Sequence, residues 1–585
     1  MLRAFPPLVI LLLLSSTLAL TRFGGFALGN MMFPEQPPRG VTITSGGTVE
    51  GTDQIQVSGN TFTLTGNIGE TIVILREGVI LDGAGYTLGG TGSGTGIFIQ
   101  GRDHTTIKNL KITNFNYGIK FTWLNYDSNR NRRSATISGN TITGNKYGIA
   151  FIQETPQCEI SNNQFSDNTY AVYSPHEAVF RGNQFKNNAY SISDDYHLND
   201  VDASNTVNGK PIYYWVNQQD KAVPSDAGWV ALKGCKNITV QGLNLDRCGD
   251  GLILFNTSVS TIKGNVLTSN AYGIRLLQQS NNNIITDNTI GRSSDNGIYM
   301  SASSNNTISK NQITANSKDG IAIDYYSYNN TINQNQITTN TEAGVMVKGT
   351  MQNVYTTFPS LNLTNPPFQH ANLIDNTVVS QNNISKNGMG MWINSRESLT
   401  IVLNNITDNI GWGMKLEGSQ KDNIIHHNNF INNNAANAIT QLQVCIAGLF
   451  KSTFNPNPNS TYIQPDIAFV AGDANIWNNG REGNYWSDYA IRYPNATQAG
   501  TSGVGDTPFY INENNIDHYP LMSPVDIFNV DSTLPTQPSA QDSEAQQNAF
   551  LNPTIIIASI ASAAVASAGL VLFIKRRSKR SVSAN

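Results

Sequence analysis

The chain has 585 residues, of which only 13% are charged, and its formal net charge is −4. So sparse and weakly acidic a charge complement excludes the basic face of a nucleic-acid-binding protein. Four scattered cysteines, at 158, 235, 248 and 445, exclude a zinc cluster or a disulfide-built scaffold; Cys235 and Cys248 either pair across a turn or stay as free buried thiols.

Residues 1–29 read as an export signal. Arg3 precedes the apolar run Leu8–Leu14, and Ala27-Leu28-Gly29 is a weak cleavage site. Residues 41–95 read as an N-terminal cap. Thr61-Phe62-Thr63-Leu64 and Thr71-Ile72-Val73-Ile74 alternate there, and Leu81-Asp82-Gly83-Ala84-Gly85 is a turn. A cap is required because the open end of a stack exposes apolar rungs and unpaired strand edges.

Residues 96–192 and 233–447 carry the repeat. Ile262, Ile285, Ile308 and Ile332 recur every 23 or 24 residues, as do Asn265, Asn288, Asn311 and Asn335. Each period reaches a glycine, Gly273, Gly297, Gly320 and Gly344, followed by an apolar residue. Upstream the signal is Tyr117-Gly118-Ile119, Tyr147-Gly148-Ile149 and Tyr170-Ala171-Val172; downstream it surrounds Gly390, Gly413 and Ala438. A fixed period of this length, with short alternating strands between Asn and Gly turns, specifies stacked coils. The predicted fold is all-β, a parallel β-helix of roughly 14 coils, on the order of 65–70 Å long at the inter-strand spacing. The Asn row is read as a structural ladder. The distance from Gly344 to Gly390 is read as two periods, one of them disguised by Pro366-Pro367 and bearing a surface loop.

Residues 193–232 break the period and are read as a β insertion projecting from the coils. Residues 448–525 form an aromatic, Gly-rich C-terminal cap, and 526–553 a polar linker. Thr554–Ile574 is uncharged and spans about 31 Å as a helix, enough for a bilayer core. Lys575-Arg576-Arg577-Ser578-Lys579-Arg580 follows, so residues 575–585 are expected inside and the coils outside the cell membrane.

Acids cluster at the break: Asp194, Asp195, His197, Asp246 and Asp250 are the catalytic candidates. Hydrolysis of a glycan needs two carboxylates held roughly 5–10 Å apart. In the regular block the outward rows are Arg275, Tyr299, Ala322, Met346 and Leu277, Ser301, Asp324, Lys348, with no two acids stacked; Asp295, Lys318 and Glu342 form an acid–base–acid row. That block therefore reads as scaffold. Tyr299, Tyr325, Tyr326, Trp392 and Trp412 are candidates for stacking on sugar rings. Asn-x-Ser/Thr acceptors for glycosylation occur at Asn237, Asn256, Asn305, Asn329, Asn362, Asn383, Asn405, Asn459 and Asn495. The pair His426-His427 is expected on opposite strand faces, unable to share a metal.

Three segments carry a family resemblance: Leu81-Asp82-Gly83-Ala84-Gly85-Tyr86; Asn205-Thr206-Val207-Asn208-Gly209-Lys210-Pro211-Ile212-Tyr213-Tyr214-Trp215; and Gly483-Asn484-Tyr485-Trp486-Ser487-Asp488-Tyr489 with Gly505-Asp506-Thr507-Pro508 and Asp517-His518-Tyr519-Pro520. With the repeats, they make residues 50–525 resemble the NosD-like right-handed parallel β-helix proteins, including archaeal-type, membrane-anchored surface proteins. The family name implies copper, which favours His, Cys and Met ligands; relatives also imply calcium before the Gly-Asp-Thr-Pro segment, where this chain has Ala499-Gly500-Thr501-Ser502-Gly503 without acids. The combined expectation is a surface-displayed structural or adhesive protein that contacts extracellular polysaccharide or a surface-layer protein and no nucleic acid. A polysaccharide lyase, hydrolase or epimerase is the enzymatic alternative, and a copper accessory protein the third.

Overall fold

The computed structural model describes residues 36–122, 134–152, 157–193, 198–349, 375–394, 398–417, 422–434, 444–447, 450–451, 468–469 and 474–528. Residues 41–43 and 49–50 pair antiparallel, as do Ile55–Ser58 and Thr61–Leu64, and these hairpins close the N-terminal end. Beyond them each coil contributes three short strands, stacked in parallel register on the coils before and after it. The three-residue strands of the regular coils present their middle residue to the interior. Ile262, Ile285, Ile308 and Ile332 pair rung on rung and are fully buried.

The Asn row is a hydrogen-bonded ladder, as its spacing predicts. Asn265 Nδ2 donates to Asn288 Oδ1 at 2.9 Å and to the Val240 carbonyl at 3.0 Å. The pattern continues through Asn311, Asn335, Asn382, Asn404, Asn428 and Asn484. Each side chain satisfies buried backbone groups at the turn, where an apolar residue would leave them unpaired. The N-terminal coils have their own ladder, Asn140–Asn163–Asn183–Asn205. Asn205 and Asn484, both in family motifs, are therefore end rungs.

The coils form two blocks that share one 16-stranded sheet, here the long sheet. In the N-terminal block its members include Lys111–Thr113 and Gln184–Lys186; in the C-terminal block they include Trp229–Lys233 and Ile274–Leu277. The Gly-apolar strands of the N-terminal block, such as Tyr117–Thr122, lie instead in an eight-stranded sheet. The repeat thus slips by one face between blocks. The slip is made by the hairpin of Thr206–Val207 and Lys210–Val216, paired antiparallel across Asn208-Gly209. Asn208 and Gly209 both have positive φ, as such a tight turn requires.

Two expectations change, and one open alternative is resolved. Lys210–Val216 does not project: it pairs in parallel with Trp229–Lys233, and Ile212 is buried within the long sheet. The interval from Gly344 to Gly390 is one coil with a long insertion rather than two coils. Ala343 pairs directly with Met389, and Asn335 bonds Asn382 across 47 residues. Cys235 and Cys248 are free and buried; Cys248 occupies a turn position, its N–H donating to Asn270 Oδ1.

At the C-terminal end Tyr485–Trp486 adds a last rung, followed by the short helix Tyr489–Arg492 and the hairpin of Phe509–Asn512 and Asn515–Asp517. The chain then turns back along the coils. Val525 exchanges two 2.8 Å hydrogen bonds with the Asn429 side chain, and Gln381 Nε2 donates to the Ile527 carbonyl at 3.0 Å. Ile527 is buried. The export signal, the linker, Thr554–Ile574 and the basic tail lie outside the described residues, among which no helix is long and apolar enough to cross a membrane.

Candidate functional site

Outward residues of the long sheet bring the aromatic candidates together. Arg275, Tyr299, Ala322, Met346, Trp392 and Lys415 occupy one ladder in consecutive rungs. Tyr299 and Trp392 are half-buried on it, with Ala322 and Met346 between them. Tyr325 and Tyr326 lie in the turn after Ile321–Ile323, and Trp412 just precedes Gly413 at the edge of the same sheet. The five do not form one continuous platform.

Four rings in and beside this lane are held by charged groups. Arg275 lies over Tyr272 at 4.8 Å, Lys348 over Tyr325 at 4.8 Å and Lys415 over Trp392 at 5.4 Å. Tyr299 donates its hydroxyl to Asp324 Oδ2 at 3.1 Å, and Trp392 donates its indole N–H to Glu417 Oε2 at 2.9 Å. Burial, then the Asp324 carboxylate, holds the Tyr299 phenol well above its usual range. Lys415 pairs with Glu417 at 3.0 Å, and Lys318 pairs with Asp295 as the acid–base row predicts.

The acidic candidates separate. Asp194, Asp195 and His197 lie outside the described residues. Asp250 is buried and bound to Arg275 Nη1 at 2.9 Å. Asp246 faces a cleft where the two blocks meet, holding Thr268 Oγ1 at 2.7 Å and Arg247 Nε at 3.2 Å. Asp246 and Asp250 therefore do not share a cleft.

Two features escape sequence reasoning. Tyr117, Tyr147, Tyr170 and Tyr190 stack face to face at 4.9, 5.0 and 4.6 Å. The recurring Tyr before each Gly, Ala or Ser was the available signal, but stacked faces are occupied by one another and closed to a sugar. Asp319 is buried, and burial raises its carboxyl to about 7. Its Oδ1 accepts the Ala343 N–H at 2.8 Å just as Asn296 Oδ1 accepts the Asp319 N–H at 2.9 Å, so it continues an amide ladder.

The two adjacent histidines meet, contrary to expectation. His427 has φ +56°, which swings its ring back onto its neighbour, and the Nδ1 atoms are 2.7 Å apart. His427 Nε2 bonds Glu482 Oε2 at 2.9 Å. Because a carboxylate only accepts, His427 carries its proton on Nε2 when neutral, and His426 Nδ1–H donates to His427 Nδ1. Both rings are buried.

Of the glycosylation candidates, Asn256, Asn305 and Asn329 sit at positive-φ turn positions, Asn495 is exposed, and Asn237 is tied to Asp220 at 2.7 Å. Asn383 and Asn405 are adjacent rungs on one sheet face. Asn362 and Asn459 lie outside the described residues.

Stacked three-strand coils with inward apolar rungs and Asn-laddered turns define a parallel β-helix, and the family models agree. A model described as "Right handed beta helix region" matches residues 40–208, and one described as "Periplasmic copper-binding protein (NosD)" matches residues 199–356. The chain is a NosD-like right-handed parallel β-helix repeat protein. Among solved structures it is similar to the periplasmic alginate epimerase AlgG, at 13% identity over 68% of this chain and 80% of that one, TM-score 0.25. It is similar to the Azotobacter vinelandii mannuronan C-5 epimerase AlgE4 A-module, at 14% identity over 59% and 83%, TM-score 0.19. It is also similar to the Dettilon tailspike protein, at 12% identity over 64% and 57%, TM-score 0.19. None of their chemistry transfers at these values. No curated protein matches the chain in sequence.

Copper does not fit the matched segment. Residues 199–356 contain no histidine. Burial raises both thiols there, Cys235 and Cys248, and Met300 is core. Among the described residues no three His, Cys, Asp or Glu side chains gather to hold a metal.

Proposed function

We propose that this protein recognises an extended polysaccharide along the outward lane of the long sheet, as a surface-displayed binding rod held by the apolar span Thr554–Ile574. The observation that carries the reading is the alignment of Tyr299 and Trp392 on one ladder, three rung intervals or about 14 Å apart. Half-buried aromatic rings flanked by hydrogen-bonding acids and bases suit sugar rings, which present apolar faces and hydroxyl edges. Recognition is favoured over cleavage because the lane's carboxylates are engaged: Asp324 by Tyr299, Glu417 by Trp392 and Lys415, Asp250 by Arg275.

The test is retention on a panel of immobilised polysaccharides, with product release followed in parallel, for the wild type and Trp392→Ala. Retention without turnover, weakened in the variant, supports the reading. Released or isomerised product, or retention indifferent to Trp392, rejects it.

A further inference from the structure

A cleft of about 850 Å³ opens where the two blocks join, within the size range of small-ligand sites. It is a product of the slip between blocks. In regular coils one sheet face continues into the next, whereas at the antiparallel hairpin the faces step apart and leave a notch. The notch is preformed. Asn208 Nδ2 donates to the carbonyls of Asp246 and Arg247 at 3.2 and 3.1 Å, tying the turn to the second block. The Asn187 N–H donates to Asn208 Oδ1 at 3.3 Å, tying it to the first. Gly228 lets the second block pack closely on the hairpin, since a Cβ there would collide with the carbonyls of Val207 and Lys210.

The charge is one-sided in a chain whose net charge is −4. Lys186, Lys210 and Arg247 line the cleft against a single carboxylate, Asp246, already engaged by Thr268 and Arg247. Lys186 stands on an outward strand position and Lys210 opens its strand at the hairpin; both are exposed. Between the cations the lining is neutral and hydrogen-bonding, with Gln184, Asn244 and Thr206. Amides and a hydroxyl complement sugar hydroxyls, while two ammonium groups complement a carboxylate. Phe185, the one aromatic lining residue, is buried, so the cleft has no exposed ring on which nucleic-acid bases would stack.

We infer that the junction cleft is a second binding site, specific for a uronic-acid-bearing segment of polysaccharide whose carboxylate sits between Lys186 and Lys210. It differs from the lane in place and in ligand chemistry, and it stands whether or not the lane binds sugar.

The experiment is calorimetric titration of the full-length protein with a hexuronate oligomer, a neutral hexose oligomer of the same length and a sulfated one. The variants are Lys186→Gln/Lys210→Gln, the exposed control Lys310→Gln, and Trp392→Ala. The expected result is binding of the hexuronate that weakens with added salt and is roughly tenfold weaker in the double variant. Lys310→Gln and Trp392→Ala should leave that affinity unchanged. Absence of hexuronate binding, indifference to the double substitution, or binding of the sulfated oligomer alone would overturn the inference. Loss of hexuronate binding in Trp392→Ala would assign the ligand to the lane instead.

Discussion

Trp486 donates its indole N–H to Asp517 Oδ2 at 2.9 Å, and Asp517 is completely buried. The same oxygen accepts the Asn484 N–H at 2.7 Å, and Oδ1 accepts the Tyr519 N–H at 3.1 Å. Burial pushes this carboxyl up to about 6 while the donors hold it down. The contact joins two parts of the third family segment, 31 residues apart, and closes the last rung. Gly483 completes it, since a Cβ there would run into the Asp517 carboxylate. Gly483→Ala should therefore destabilise the C-terminal cap by about 3 kcal/mol, a clash against a buried charged group. Denaturant unfolding followed by tryptophan fluorescence would read this, and an unchanged midpoint would show that the cap relaxes freely.

Asn335 is a central rung. Its Oδ1 accepts from the Asn311 N–H and Nδ2, and its Nδ2 donates to the Ile308 carbonyl and to Asn382. Asn335→Ala leaves several buried groups unpaired and should cost roughly 3–4 kcal/mol. Thr341→Ala, exposed in the same coil, should stay within about 0.5 kcal/mol. Equal losses in thermal unfolding would contradict a ladder that holds the coils together.

Asp319 gives a pH dependence of definite sign. Its carboxyl rises from 3.8 to about 7 on folding, so the folded chain holds this proton more tightly than the unfolded one. Its contribution to stability is full below pH 3.8 and is lost as pH rises through about 7. Asp319→Asn keeps the ladder acceptor for Ala343 without the charge. The variant should gain on the order of 3 kcal/mol over wild type at pH 8 and little at pH 4. Parallel stability curves across that range would exclude the mechanism.

His426 has the opposite sense. Burial, then His427, lowers its pKa from 6.5 to about 4. The folded state keeps it neutral, so its contribution is full above pH 6.5 and declines as pH falls toward 4. The Glu482–His427–His426 chain joins the last coil to the cap loop, so amide exchange around Gly483 should accelerate over that interval. His426→Gln should flatten the profile.

Much of the fold is legible in the sequence because the pattern is redundant. Ile262 to Ile332 and Asn265 to Asn335 state the same coil independently, and both rows stack as aligned. The outward row containing Arg275 and Tyr299 is also read correctly, although its aromatic–charge pairing depends on rotamers that no spacing reveals. What misleads is arithmetic and local backbone. The 47 residues between bonded rungs Asn335 and Asn382 equal two periods in length but hold one coil and an insertion. The face slip at Asn208-Gly209 is hidden because both blocks obey the same internal pattern. At His427 a positive φ reverses the alternation on which the opposite-face argument depends.

The return of the chain over its own coils has a mechanical consequence. Tension applied beyond Phe528 first meets the bonds of Val525 to Asn429 and of Ile527 to Gln381, on the flank of the stack rather than at its end. These contacts, with buried Ile527, must slide together before load reaches Trp486 and Asp517. The cap is thus guarded against being peeled rung by rung, in the way a rope belayed around a post spares the knot at its end.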